Sequence, residues 1–308
     1  MKRIFMIDFR SLVKAGVHFG HQKNRWCPRM APYIWGTKNN IHLIDVSKTA
    51  FLLEQAAAFL KSVAAQGLPI LWVGTKKAAK DAVVRAGVDL SMPYVSHRWI
   101  GGTLSNFGQV KKSVTRCLHF EDILSKSEQF PHYTKKELNV FQKIVGRLDK
   151  NVGGIKKLTW PVGALVVVDV FKEQSAVKEA VAMGVPIVAL VDTNCDPSHI
   201  SYVIPANDDA PRAVNVVLDY LIEAAREGKA IAQSIGKVQA HAVEQVDTVE
   251  QADYSDLLED EKVVEKEVVS TRGRSVGNAE GSERDHSSSK KPFSKTPRNS
   301  SFRKGGKQ

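Results

Sequence analysis

Two hydrophobic patterns alternate along the chain. One is the short unbroken run: Pro69–Val73, Ala164–Asp169 (ALVVVD) and Pro186–Val191 (PIVALV), with briefer runs at Ile41–Asp45, Pro93–Val95 and Tyr202–Ile204. The other is the three-to-four spacing of an amphipathic helix. It appears first at Lys48–Gln66, where Phe51, Leu52, Ala56, Phe59, Leu60 and Val63 share a face and Ser47 offers an N-cap hydroxyl. It returns at Lys76–Ala86, Glu173–Met183 and Asp208–Glu227, and a short helix is expected over 8–15, ending at Gly16. A strand apolar on both faces must be covered on both faces, which helices between parallel strands achieve. The pattern therefore predicts a doubly wound α/β domain with a mainly parallel sheet and right-handed crossovers.

Two segments depart from this alternation. Residues 105–155 carry apolar positions three to four apart, first Val110, Val114, Cys117, Leu118, Ile123 and Leu124, then Leu138, Phe141, Ile144, Val145 and Leu148. Phe130–Thr134, with Pro131, separates the two series, and Gly153–Gly154 closes the second. That reads as an inserted antiparallel helical hairpin, an arm with a narrow apolar stripe. After Gly228 the periodicity fades. An acidic series at spacing three (Glu244, Asp247, Glu250, Asp253, Asp256, Glu259) gives way from Ser270 to Ser, Lys, Arg and Gly, a composition expected to be disordered. The expected division is a body of residues 1–104 and 156–232, an arm of 105–155, and an acidic-then-basic tail of 233–308.

Charge narrows the choice of partners. Of the net +11 over 308 residues, residues 240–269 carry −8 and 270–308 carry +7, which leaves +12 on residues 1–239. The body is thus basic without its tail, and a basic surface attracts polyanions. Cys27, Cys117 and Cys195 are far apart and form no CxxC pair, which argues against a disulfide framework and for a reducing compartment. No stretch of eighteen apolar residues suggests a membrane helix. The opening MKRIFMIDFR is interrupted by Asp8 and Arg10, too early for a signal peptide.

An α/β sheet raises the reading of a nucleotide- or metal-dependent enzyme, but neither GxxxxGK[ST] nor GxGxxG occurs. The nearest imitation is Gly74-Thr75-Lys76-Lys77, a strand running into a helix whose first amides and lysines suit an RNA phosphate; the alternative is an ordinary turn with solvated lysines. Gly16–Asn40 interleaves Lys23, Arg25, Arg29 and Lys38 with Phe19, Trp26, Tyr33 and Trp35, cations and flat rings together, which suits structured RNA; the alternative is a loop that packs its aromatics on the sheet, and different residues can do either. After the third strand come His97, Arg98, Trp99 and Asn106; Arg98 suits phosphate, while Trp99 suits either a base or the core. Lys14, His18, His21, Lys23, Arg25, Trp26, Arg29, Lys38, Asn39, Thr75, Lys76, Lys77, His97, Arg98, Trp99, Asn106 and Lys111 are the candidate RNA contacts. His18 and His21, joined by Asp192, Asp208 and Asp209 from strand ends, are the candidates for zinc, though isolated histidines more often make structural or RNA hydrogen bonds. No catalytic residue and no obligatory cofactor is expected.

The runs LVKAGVHFGHQKNRWCPRMAPYIWGTKNNIHLIDVSKT, ILWVGTKKAA, YVSHRWIGGTLSNF, GGIKKL, PIVALVDTNCDP and VIPANDDAPRAV closely resemble, in order, segments of the bacterial small-subunit ribosomal protein S2 family. Together they cover roughly residues 8–230. Cys27 stands where the family usually has Asn, and the tail exceeds the common bacterial form. The resemblance implies a Rossmann-like, flavodoxin-like body with a coiled-coil arm. It implies a structural constituent of the small ribosomal subunit that binds small-subunit (16S) rRNA between head and body. Implied partners are neighbouring ribosomal proteins, among them S1, with no membrane and no homo-oligomer. The implied location is cytoplasmic, and a bacterial-like organelle fits as well.

Overall fold

The computed structural model describes residues 8–126 and 133–234. Among these, eight strands form two sheets. Helix α1 (Phe9–Ala15) is capped by Asp8, whose side chain accepts from Arg10 N, and it ends at Gly16 with φ +80°. A small antiparallel sheet follows, in the order β1 (Phe19–Gln22), β3 (Ile41–Ile44), β2 (Ile34–Lys38). Strands β2 and β3 are joined by Asn39 and Asn40, both at positive φ (51° and 61°). Asn tolerates the left-handed region, and two such residues make the turn whose twist matches a hairpin. So the Gly16–Asn40 stretch, which shows no clear period in the sequence, carries two strands. Ile41–Ile44, read as the first strand of the parallel sheet, belongs instead to this sheet. Short β pairs with uneven burial have no periodic signature, and here 3-10 turns at Lys23–Arg25 and Pro28–Tyr33 break the register further.

The main sheet is wholly parallel, in the order β5 (Tyr94–Val95), β4 (Ile70–Val73), β6 (Ala164–Val168), β7 (Ile187–Val191), β8 (Tyr202–Pro205). Every residue of β4, β6 and β7 is buried, as the unbroken runs require. Alternate residues point to opposite faces. Ile70, Trp72, Val166, Val188 and Leu190 pack under α2 (Val46–Ala65), α3 (Lys77–Leu90) and α7 (Pro211–Ser234). Leu71, Val73, Leu165, Val167 and Ala189 pack under α6 (Gln174–Ala182), the start of α4 (Phe107–Ser125) and the end of α5 (Lys135–Val152). The chain winds one way from β4 to β5 and the other way from β6 onward, which puts the switch point between β4 and β6.

Several helix boundaries differ from expectation; α3, for one, runs on to Leu90 rather than stopping at Ala86. The N-cap of α2 is Asp45, whose carboxylate accepts from Ser47 N at 3.0 Å, so Ser47 lies inside the helix. Helix α7 starts at Pro211, because Asn207 Oδ1 accepts from the amides of Asp209 (2.9 Å) and Ala210 (3.3 Å) and holds 208–210 in a turn. It continues through Gly228, which is a site of close approach rather than a stop. A Cβ there would lie 2.3 Å from the Lys61 carbonyl oxygen on α2.

Helices α4 (Phe107–Ser125) and α5 (Lys135–Val152) pack against each other, with Phe120 and Phe141 stacked at 5.1 Å between ring centres. Thr134 and Glu137 form a capping box at the start of α5. Val110, Val114, Cys117 and Val152 join the core beside Leu71 and Val73, so the root of this pair is anchored in the body. Lys156 ties the two helices together, to Glu121 at 2.6 Å and Asp149 at 2.8 Å. Most of the expected turn at Phe130–Thr134, and the tail beyond residue 234, lie outside the described residues.

Candidate nucleic-acid interface

In open α/β sheets the carboxyl ends of the strands form the crevice where ligands bind. Here those ends deliver Thr75 and Lys76 after β4, Asp169 after β6, Asp192 after β7 and Asp208–Asp209 after β8. The Lys76 ammonium is 2.7 Å from Asp208 Oδ1, 2.6 Å from Asp209 Oδ1 and 3.4 Å from Asp169 Oδ2. Burial disfavours its charge, but the bonds to Asp208 and Asp209 outweigh that and hold the pKa above its ordinary value. Lys76 was expected to be exposed to a phosphate. Instead its charge is matched by carboxylates of its own chain. Asp169 is held at φ +68°, an uncommon conformation for a non-glycine residue.

The turn that leads into α3 also holds an anion of the chain's own. Thr75 N donates to Glu173 Oε1 at 3.2 Å, and Thr75 Oγ1 donates to the same oxygen. Lys172 Nζ donates to the Thr75 carbonyl at 3.1 Å. A carboxylate thus occupies the turn that leads into α3, one residue before its N-cap Lys76. Lys77, one residue on, is exposed and makes no ion pair among the described residues.

Strand β1 brings His21 to the same crevice. Its backbone N donates to Thr193 Oγ1 at 2.8 Å, and Cys27 N donates to the Thr193 carbonyl at 2.7 Å, which pins the small sheet to the end of β7. Gly20 makes this contact close: a Cβ would lie 2.6 Å from the Thr193 methyl. His21 Nδ1 lies 3.0 Å from Asp192 Oδ2 and Nε2 lies 3.3 Å from Asp209 Oδ2. The Nδ1 contact does not meet hydrogen-bond geometry, although the two groups lie within ion-pair distance. Asp192 nonetheless raises the His21 pKa, against burial. Asp208 is buried beside Asp192 and is pushed up to about 7.

Four of the five zinc candidates therefore come together. One ligand atom from each of His21, Asp192, Asp208 and Asp209 lies within 4.8 Å of the others. The fully buried Asp208 keeps Oδ2 without a partner, which suits a cation. His18 does not join them; its ring lies against Phe19 at 4.1 Å, and burial lowers its pKa.

The loop after β5 is organised by a residue that the sequence did not single out. The Glu179 carboxylate accepts from Trp99 Nε1 (3.0 Å) and from the amides of Gly102 (2.9 Å), Leu104 (3.1 Å) and Ser105 (3.3 Å). Burial would raise its pKa, but the bond from Trp99 and the three amide bonds lower it. Trp99 is 8% exposed and packs in the core, so of its two readings the structure supports packing. His97, Arg98 and Asn106 are exposed and Lys111 is half-buried.

On the small sheet and around it, Lys14, Lys23, Arg25, Lys38 and Asn39 are exposed, and these lysines and Arg25 make no ion pair among the described residues. Arg29 is bonded to Asp196 and Ser198. Trp26 is half-buried against His42, at 5.2 Å, whereas Trp35 is 75% exposed. Glu173, Glu179 and Asp169 carried no local signal, because their partners are distant in sequence. Only the positions of Asp169 and Glu173 at a strand end and a helix start mark the crevice.

These features define a doubly wound α/β protein whose crevice is lined by its own paired side chains and whose surroundings carry cations that make no ion pair among the described residues. The family model described as "Ribosomal protein S2" matches residues 12–228. Proteins called small ribosomal subunit protein uS2 are similar over most of their length. That of Bradyrhizobium sp. (strain ORS 278) is 44% identical over 224 residues, 73% of this chain and 68% of the relative. That of Rhodopseudomonas palustris (strain HaA2) is 42% identical over 224 residues, 73% and 67%. That of Rhodopseudomonas palustris (strain BisA53) is 42% identical over 238 residues, 77% and 72%. The chain belongs to the ribosomal protein S2 family.

Proposed function

We propose that the chain is a structural, rRNA-binding constituent of the bacterial small ribosomal subunit and not an enzyme. The observation that carries this reading is the contrast between crevice and rim. Lys76 and the turn into α3 are neutralised internally by Asp208, Asp209 and Glu173, while Lys14, Lys23, Arg25, Lys38, Lys77 and Arg98 make no ion pair among the described residues. Cations left unpaired on a folded surface suit phosphates. The names of the relatives support placement in the small subunit. On this reading the protein lies between head and body, contacts 16S rRNA and neighbouring proteins, S1 among them, and works in the cytoplasm as a single copy. Residues 1–104 and 156–232 serve as the body, 105–155 as an arm and 233–308 as an accessory tail.

His21, Asp192, Asp208 and Asp209 would hold a zinc ion, which would tie the small sheet to the ends of β7 and β8. Lys76 already bonds Oδ1 of Asp208 and of Asp209, so ion and ammonium would share these two carboxylates, with Asp208 Oδ2 left open for the ion. The test of the main reading is co-sedimentation of the tagged chain with small subunits in a sucrose gradient, followed by titration onto 16S rRNA at several salt concentrations. Absence from the subunit peak, or binding insensitive to salt, overturns it.

A further inference from the structure

Two clefts of similar size open on the body, and they differ in charge. The first, of about 430 Å³, has Arg29 as its only cation, and Arg29 is bonded to Asp196. The second, of about 440 Å³, lies where α3, the exit of β5 and the end of α5 meet. Lys80 projects from α3 and Lys150 from the last turn of α5; both are exposed, and neither has an ion-pair partner among the described residues. His97 lines the same wall. The only carboxylate in the lining, Asp149, is held by Lys156 at 2.8 Å. The cleft is therefore a net cationic seat.

The glycines explain how it is built. A Cβ on Gly154 would lie 2.2 Å from the Tyr94 carbonyl, and one on Gly87 would lie 2.1 Å from the Tyr94 ring. Gly154, just past α5, and helix α3 thus hold half-buried Tyr94 from two sides and fix its ring in the wall of the cleft. With both lysines unpaired, Asp149 engaged and the aromatic ring held in the wall, the chemistry selects a phosphodiester over a metal ion or an apolar ligand. We infer that this cleft seats the sugar–phosphate backbone of an RNA strand, gripped by Lys80 from the body and Lys150 from the root of the helical hairpin. The inference rests on the RNA-binding reading above and adds a contact that joins the two parts of the molecule.

The test compares full-length variants on 16S rRNA across a salt series. Each phosphate contact contributes roughly 0.7–0.9 to the slope of log affinity against log salt. The Lys80→Gln/Lys150→Gln double variant should therefore flatten the slope by about 1.4–1.8. Lys80→Arg/Lys150→Arg should keep the slope. Lys178→Gln/Arg212→Gln, which removes two exposed cations outside the cleft, should flatten it much less. An unchanged slope in the cleft variant, or equal flattening by both Gln pairs, overturns the inference. So does an unchanged slope with loss of a neighbouring protein from the subunit, which would assign the cleft to a protein. A wild-type chain with no salt-dependent binding overturns instead the RNA-binding reading itself.

Discussion

Glu179 and Trp99 are eighty residues apart in sequence, yet the indole Nε1–H donates to the Glu179 carboxylate at 3.0 Å, and the same carboxylate takes the amides of Gly102, Leu104 and Ser105. One side chain of α6 thereby fixes the path of the loop that presents His97 and Arg98 on one side and starts α4 on the other. Replacing Glu179 with Gln keeps the shape but turns one acceptor oxygen into a donor facing donors. Leaving such groups unpaired costs about 1–3 kcal/mol. Denaturant melts should show that loss, and the Trp99 indole N–H resonance, assigned by Trp99→Phe, should shift. An unmoved resonance would deny the clamp.

The same contact makes acid destabilising in a predictable way. The folded-state pKa of Glu179 lies below its ordinary value of 4.5. Its contribution to stability is therefore complete above that value and is lost as the pH falls through the lowered one. The difference in melting temperature between wild type and Glu179→Gln should hold from neutral pH down to about 4.5 and shrink below it. A difference constant down to pH 2 would contradict this.

Lys76 and Lys77 are adjacent and both were candidate phosphate contacts, yet they should behave oppositely. Removing the ammonium by Lys76→Gln leaves Asp208, Asp209 and Asp169 facing each other, and breaking a fully buried pair costs about 3–5 kcal/mol. Lys76 is 21% exposed, so about 2–3 kcal/mol is expected here. Lys77→Gln should cost within about 0.5 kcal/mol and weaken rRNA binding instead. Equal stabilities of the two variants would show that the carboxylate cluster does not depend on Lys76.

Gly228 sets two general effects against each other. Gly to Ala inside a helix usually stabilises by about 0.5–1 kcal/mol. At this position the added methyl would meet the Lys61 carbonyl at 2.3 Å, and backbone cannot swing aside as a flexible side chain can. Overpacking of about 1–3 kcal/mol should win, so Gly228→Ala should lower the melting temperature. A rise would mean that α2 and α7 separate easily.

The parallel sheet was legible because β4, β6 and β7 are buried on both faces, which writes them as unbroken apolar runs. The small sheet was not, since Phe19–Gln22 and Ile34–Lys38 bury residues unevenly and owe their pairing to Thr193 and to the Asn39–Asn40 turn. Cap choice was misread at Ser47 because a carboxylate two residues earlier already serves its amide. The grouping of His21 with Asp192, Asp208 and Asp209 followed from placing aspartates at strand ends. The partners of Lys76 did not follow, because which strand end faces which depends on strand order, and that is invisible in local spacing.

The carboxylate of Glu173 at the start of α3 has a thermodynamic consequence. In a protein whose crevice awaits a soluble anion, stability rises with the concentration of that anion, by mass action on the folded state. Here the anion is covalently part of the chain and is present at unit occupancy in every folded copy. The turn into α3 therefore draws no stabilisation from the phosphate and nucleotide pools of the cell, and any rise in melting temperature with millimolar phosphate should come from the cationic rim and cleft instead.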